Sequence, residues 1–380
     1  MPDRPLEGLR VVELARILAG PWAGQLLADL GAEVIKVESP DGDDTRRWGP
    51  PFLDNADGSR DAAYFHAANR NKRSIIADFA KEVDRERVIA LVDDSDIVIE
   101  NFKVGGLAKF GLDYLTLSRR NPKLIYCSVT GFGQDGPYAP RAGYDFIVQG
   151  MSGMMDLTGD PGGPPQKIGV ALADIMTGLY AVVGIQAALI ERQRSGVGQQ
   201  IDLALFDVMV GVLANQALNY LASGTPPTRL GNAHPNIVPY DAFQTATCWI
   251  IIAVGNDRQF ERLCDILELG RDSRFLTNAD RVKHRPLVTE IIGGAVASRD
   301  GDQLLQALAA AGIPAGPINN VAEALADPQA VHRGLTLSLP RSDGQTVPGV
   351  RSPLRFSRSE MTEGRPSPRL GEDESSTGWS

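Results

Sequence analysis

Several features that announce an enzyme class are missing from this sequence. It has only three cysteines, Cys127, Cys248 and Cys264, far apart and in no metal or redox pattern. That excludes a disulfide framework and leaves reduced core thiols of a cytosolic protein as the expectation. The four histidines, His66, His234, His284 and His332, have no metal-ligand spacing, so no metal is expected. There is no G-x-S-x-G elbow, and no Ser-His or Cys-His pair supplies a nucleophile with its base. No apolar run reaches the length of a membrane span, and the start, MPDRPLEG, lacks a signal-peptide core. The expected location is therefore cytoplasmic. Positive charge is also short. Thirty-eight Lys and Arg against 47 Asp and Glu leave a net charge of −9, which argues against nucleic-acid partners.

What is present is an α/β rhythm. Leu9–Leu14 (LRVVEL) suits a buried strand, and Ala23–Leu30 carries helical spacing and stops at Gly31. Ala32–Val37 (AEVIKV) is the next strand, completing a β-α-β unit. The pattern continues with strands at Arg73–Ala77, Asp96–Glu100, Leu124–Val129 and Gln199–Leu203, with helices at Lys81–Val92 and Tyr114–Arg120 between them. Leu205–Leu221 reads as one further apolar helix. After the linker Ser223-Gly-Thr-Pro-Pro227 the pattern changes to a hairpin, Asp241–Thr247 with Cys248–Val254, and helices at Asp257–Leu267, Pro286–Ala297 and Gly301–Ala311. The expected fold is a doubly wound parallel-sheet, Rossmann-like large domain at residues 1–222, a smaller α+β domain at 226–325, and a return to the large domain at 330–380. The tail from Arg358 is poor in apolar residues and is expected on the surface or partly disordered.

Lys167 to Arg194 is the stretch around which the rest is arranged. Its middle, with Met176, Leu179, Tyr180, Val182, Val183, Ile185, Leu189 and Ile190, is apolar all round, the mark of a buried helix. Near its start stands one carboxylate, Asp174, with no cation closer in sequence than Lys167. The plain use of such a residue is a helix cap, with Thr177 three residues on. The alternative is a carboxylate held at a positive helix end to do chemistry.

Three other motifs bear on the choice. Gly131-Phe-Gly-Gln-Asp-Gly136 matches G-x-G-x-x-G after a strand, but Pro137 and Pro140 forbid the helix that a dinucleotide fingerprint needs. A flexible loop, able to shield a reactive centre, is expected instead. Arg70-Asn-Lys-Arg73 is a basic cluster in an acidic chain, and Arg46, Arg47, Lys103 and Lys109 fall in or near loops after strands. Together they favour an anionic, phosphate-bearing ligand. His234, in Gly-Asn-Ala-His-Pro-Asn, reads first as a hydrogen-bonded loop histidine.

The chain resembles the class III CoA-transferases of the CaiB/BaiF type, a family that also holds acyl-CoA racemases. The likeness runs from about Leu6 to Gly371. It rests on Leu18-Ala-Gly-Pro21, Leu30-Gly-Ala-Glu-Val-Ile-Lys-Val-Glu38, Asn69-Arg-Asn-Lys-Arg-Ser74, Val98-Ile-Glu-Asn-Phe102, Ala142-Gly-Tyr-Asp145, Asp174-x-x-Thr-Gly178, Val254-Gly-Asn256 and Gly312-Ile-Pro-Ala-Gly-Pro317. Within the family it stands nearest to the succinyl-CoA:glutarate transferases, through Asp43-Asp-Thr-Arg46, Trp48-Gly-Pro-Pro-Phe52, Ile237-Val-Pro-Tyr240 and Pro317-Ile-Asn-Asn320. Ser39 stands where some members have an Arg, and Tyr144 where the racemases have a His.

The resemblance implies that Asp174 is the nucleophile. It implies coenzyme A contacts from Leu18, Ala19, Asn71, Lys72, Arg73, Asn101, Phe102, Lys109, Tyr144 and Asp145. Gly131 and Gly133 are expected to shield the acyl group, and Arg46 and His234 are candidates for the acceptor acid. No cofactor is expected to stay bound, since CoA and acyl-CoA are substrates. The resemblance further implies an interlocked homodimer. The chemistry agrees with the residues present, because a carboxylate with a reference pKa of about 3.9 needs no general base. A racemase remains the alternative. It needs two acid/base groups, and a tyrosine with a reference pKa of about 10 is a poor base.

Overall fold

Short β-branched runs form the framework in the computed structural model, which describes residues 4–362, 364–375, 378 and 379. Six strands make one parallel sheet: β1 Arg10–Glu13, β2 Glu33–Glu38, β3 Arg73–Ile76, β4 Ile97–Glu100, β5 Ile125–Thr130 and β6 Gln200–Ala204. Their order is β3-β2-β1-β4-β5-β6. In register, Val12 lies beside Ile35 and Val98, and Ile99 beside Cys127. This is the doubly wound order, with its switch point between β1 and β4.

Alternation along the strands divides the core in two. Val11, Val34, Ile97, Ile99 and Cys127 pack with the helices Ala19–Asp29, Leu172–Ser195 and Leu205–Gly211. Their neighbours Val12, Ile35, Val98 and Tyr126 pack with Val88, Leu91 and Val92 of the helix Glu82–Asp93 and with Leu117 of the helix Tyr114–Arg120.

The chain divides into two units. One is Met1–Met154, Lys167–Gly224 and Pro328–Ser380; the other is Met155–Gln166 and Thr225–Asp327. Residues 155–166, read from sequence as part of the large domain, group with the smaller unit. There the Gly231 amide donates to Gly159 O at 3.2 Å, and Arg229 pairs with Asp156 at 3.0 Å. The smaller unit has a three-stranded antiparallel sheet: β7 Tyr240–Gln244, β8 Trp249–Ala253 and β9 Ala315–Pro317. The helices Asp257–Ile266, Arg285–Val296 and Gly301–Ala310 cover Phe243, Ile250 and Ile252. Arg281 is fully buried at its centre.

Three expectations need correction. The helix Leu172–Ser195 is not buried all round: Leu179, Tyr180, Val183 and Ile190 are exposed, while Ala173, Ala181, Ile185 and Ala188 face the core. It is long and apolar enough to cross a membrane, although part of it is buried in the protein. The expected helix Leu205–Leu221 is two, Leu205–Gly211 and Ala214–Ser223, bent by 71°. The tail is largely ordered where described. Strand β3 is a sheet edge, and its unpaired amides invite acceptors. Ser74 N donates to Asp373 Oδ2 at 2.9 Å, and Ile76 N donates to Glu374. Trp379 Nε1 donates to Leu91 O at 3.1 Å.

Candidate functional site

Ligands of doubly wound sheets bind at the carboxyl ends of the strands, at the switch point. Here those ends carry the turn Ala15–Leu18 after β1 and Asn101–Phe102 after β4. The structure ties the two together. Asn101 Oδ1 accepts from Arg16 N at 3.0 Å, and Asn101 Nδ2 donates to Arg16 O at 2.7 Å. Leu18 and Ala19 are buried where the helix Ala19–Asp29 begins. Phe102 packs on Phe79, with ring centres 6.2 Å apart. Four of the residues assigned to CoA thus converge at one place.

Asp174 reaches the same region on the helix Leu172–Ser195. Gly178, one turn on, has no side chain, and a Cβ there would lie 2.8 Å from Ala19 O and 3.0 Å from Trp22 Cδ1. Close packing of two helices is what this glycine permits. Asp174 does not cap its helix: the N-cap position is Ala171, with no side-chain bond, and Asp174 lies in the first turn. The capping carboxylate comes from Asp145. Its Oδ1 accepts from Ala173 N at 2.8 Å and its Oδ2 from Gln149 Nε2 at 2.8 Å. Gln149 Oε1 in turn accepts from Ile168 N at 3.0 Å. Asp174 is therefore free for chemistry. Burial, and then the charge of Asp145, raise its pKa to about 7.

Tyr64 belongs to this site and carried no sequence signal. Burial raises its pKa, and so do the charges of Asp174, Asp145 and Asp43. It therefore keeps its proton and can donate. Its ring meets Trp48 edge-on at 5.4 Å. Glu100, at the end of β4, was also missed. It accepts from Phe102 N at 2.8 Å, and burial pushes its pKa up to about 7.

The glycine loop after β5 is shaped by a backbone crossing. A Cβ on Gly131 would lie 2.5 Å from Gly143 Cα, so neither position has room for a side chain. Gly133 is at φ 91°, and its amide donates to Thr130 Oγ1 at 2.9 Å. Tyr144 is exposed and precedes the helix Asp145–Met151. Lys109 is exposed, with Nζ 4.7 Å from the Phe110 ring centre.

The basic cluster is placed otherwise than expected. Lys72 is fully buried, bonded to Glu13 Oε1 at 3.0 Å, Asn69 Oδ1 at 2.9 Å and Pro21 O at 2.8 Å. Burial draws its pKa down to about 8 despite Glu13. Arg73 pairs with Glu33 at 2.5 Å, and Arg70 with Asp29. Asn71, at φ 62°, donates to Asp29 Oδ1 and Thr362 O at 2.8 Å each. None of these side chains is presented as a phosphate anchor, because an acidic partner on the same unit already neutralises or engages it. Arg46 is likewise engaged: it meets Glu38 at 2.7 Å and Asp61 at 3.0 Å over the Phe65 ring. It is not available to an acceptor acid. His234 lies in the smaller unit, where Nδ1 accepts from Asn236 N at 3.1 Å and the ring meets Tyr240 at 5.2 Å.

A doubly wound sheet with a buried carboxylate, Asp174, beside the turn at its switch point defines an α/β protein with a candidate active site there. Comparison with known proteins gives the family. The model of CoA-transferase family III matches residues 6–374, and the chain belongs to this family. It is 58% identical over 379 residues to the succinate–glutarate CoA-transferase of Agrobacterium fabrum, covering 98% of this chain and 95% of that one. It is 40% identical to human succinyl-CoA:glutarate CoA-transferase, covering 97% of this chain and 84% of that one. A crystal structure of a CaiB/BaiF family protein from Brucella suis superposes with a TM-score of 0.89 at 59% identity, covering 98% of each chain. The protein is a CoA-transferase, and the racemase reading is not favoured.

Proposed function

We propose that the protein moves CoA from succinyl-CoA to a short dicarboxylic acid through covalent intermediates on Asp174. The observation that carries this reading is Asp174 itself: buried enough to have its pKa raised, released from capping by Asp145, and beside the switch-point turn. Its carboxylate attacks the thioester carbonyl and the C–S bond breaks, giving a mixed anhydride and CoA thiolate. The thiolate attacks the Asp174 carbonyl, the donor acid leaves, and an aspartyl-CoA thioester remains. The acceptor carboxylate then attacks the aspartyl thioester and expels the thiolate, giving a second mixed anhydride. The thiolate attacks the acceptor's carbonyl in it, the Asp174 carboxylate leaves, and the acceptor's CoA thioester is released. Leu18, Ala19, Asn101, Phe102, Lys109 and Tyr144 are the CoA contacts this reading keeps. Tyr64 and the amides near the site are the donors for each oxyanion. Gly131 and Gly133 keep water from the anhydride. Hydroxylamine trapping after incubation with succinyl-CoA tests the scheme. Modification confined to Asp174 is expected, and modification elsewhere overturns it.

The dicarboxylate preference is supported by the relatives' names. A second carboxylate loses water on binding and needs a cation or several donors to meet it. Glutarate is expected to exceed valerate in kcat/KM by roughly ten- to a hundredfold at equal succinyl-CoA, the value of one charge-assisted contact. Equal values for the two acids would remove the preference.

The exposed apolar residues of the larger unit support a homodimer. Tyr144, Phe146 and Ile147 stand open around one short helix, and Leu179, Tyr180 and Val183 along the long one. Exposed large apolar side chains clustered on neighbouring helices are ordinarily covered. Sedimentation should show a dimer that persists on dilution; a folded monomer would refute it. The three free cysteines suit a reducing, cytoplasmic setting, and the partly buried long helix suits a protein away from the membrane.

A further inference from the structure

Ile17 is a β-branched residue at φ 71°. Side chains of this kind rarely enter the left-handed region, because Cβ crowds the next carbonyl. Such strain persists only where the surroundings over-determine it. Here they do. The Asp43 carboxylate accepts from Ile17 N at 3.2 and 3.3 Å. Lys36 Nζ donates to Ala15 O at 2.9 Å, and Asn101 holds both the amide and the carbonyl of Arg16. Beyond the turn, Lys72 Nζ donates to Pro21 O at 2.8 Å.

Behind these contacts lies a chain of buried charges. Lys36 is 3.1 Å from Glu13 and 2.9 Å from Asp43, and Lys72 is 2.8 Å from Glu13. All four side chains are at most 1% exposed. Glu13 fits beneath the helix Ala19–Asp29 because residue 24 is glycine; a Cβ there would collide with Glu13 Oε2. Stability alone does not explain such a network, since apolar residues of similar volume usually serve as well. What the network grips is the turn that opens this helix, whose first amides have no carbonyl partner inside it. The same helix start lies against Gly178, one turn beyond Asp174.

We propose that Asp43, backed by Lys36 and Glu13, is a positioning residue that holds the Ala15–Leu18 turn in its strained form and so sets the opening of the helix for acyl-CoA beside Asp174. This rests on the CoA-transferase reading of the same site. It also gives the buried Lys36 and Lys72 a function that a phosphate anchor does not describe.

The test is Asp43→Asn, alone and combined with Ile17→Gly, with KM for succinyl-CoA, kcat and thermal stability measured together. Asp43→Asn leaves Lys36 short of one charged partner and loosens the turn. Its KM should rise about tenfold, the strain of one left-handed residue expressed as a ratio, with kcat within about threefold of wild type. Ile17→Gly in the same chain should recover most of that rise, because glycine adopts this φ without strain. Asp43→Ala, which removes both acceptor oxygens of the Ile17 amide, should show the same rise and the same rescue. A wild-type KM in both single variants, or no rescue by Ile17→Gly, overturns the proposal. An inactive wild type would instead remove the transferase reading on which it rests.

Discussion

Replacing Asp174 by alanine is expected to lower kcat/KM by at least about 10⁴-fold, the scale seen when a covalent nucleophile is removed. Secondary structure should be unchanged, since Asp145 and not Asp174 satisfies the helix amides. The pH dependence follows from the same residue. Its pKa is raised to about 7, so the ionised nucleophile accumulates as pH rises through 7, and kcat/KM should rise with it. The sign for stability is opposite. A carboxyl whose pKa is higher folded than unfolded stabilises the fold at low pH, and this contribution is lost as pH rises through the folded value. Asp174→Asn should therefore be more stable than wild type by roughly 2 kcal/mol above pH 7, after discounting for partial exposure, and no more stable near pH 4. Wild-type turnover in Asp174→Ala, or a flat rate profile between pH 5 and 8, would end the assignment.

The largest effect expected on stability falls on the smaller unit. Arg281 is fully buried. Its Nε donates to Val238 O at 2.7 Å, its guanidinium to Phe275 O at 3.0 Å and Leu276 O at 3.2 Å, and it pairs with Asp257 at 2.8 Å. Its Cζ stacks 4.4 Å from the Phe260 ring centre. Arg281→Met keeps much of the volume and leaves three carbonyls without these donors. Removing one member of a buried charged network costs about 3–5 kcal/mol. The Asp257 part of this is small, because its carboxylate is half exposed. The thermal transition of the variant should fall by roughly 10 °C in calorimetry. A shift under about 2 °C would show that water replaces the guanidinium without loss.

Burial explains where sequence reading of the site succeeded and where it failed. Asp174 was legible because a lone carboxylate in an apolar helix is rare enough to demand a reason. Arg46, Lys72 and Arg73 were misread for the opposite cause. Each reads as a cation in or beside a loop next to a strand, as a phosphate ligand would be, but its acidic partner lies elsewhere in the chain: Glu38 and Asp61, Glu13, and Glu33. No local pattern pairs Lys72 with a residue 59 positions away. Tyr64 was invisible for the same reason, since only folding brings its phenol within electrostatic reach of Asp174 and Asp145.

The sequence by itself determined the doubly wound architecture and the antiparallel hairpin of the smaller sheet, and it singled out Asp174 as a carboxylate in an apolar helix. Strand and helix periods are local, and apolar runs bounded by Gly and Pro decide them within a few residues. Tertiary structure alone decided which charges meet. It set Asp145 on the amide of Ala173, bent the expected second apolar helix at residues 212–213, and laid Asp373 and Glu374 on the open edge of β3. Those outcomes depend on distances between segments far apart in the chain. A buried ion takes whichever partner the packed fold brings within about 3 Å, because leaving it unpaired costs several kcal/mol.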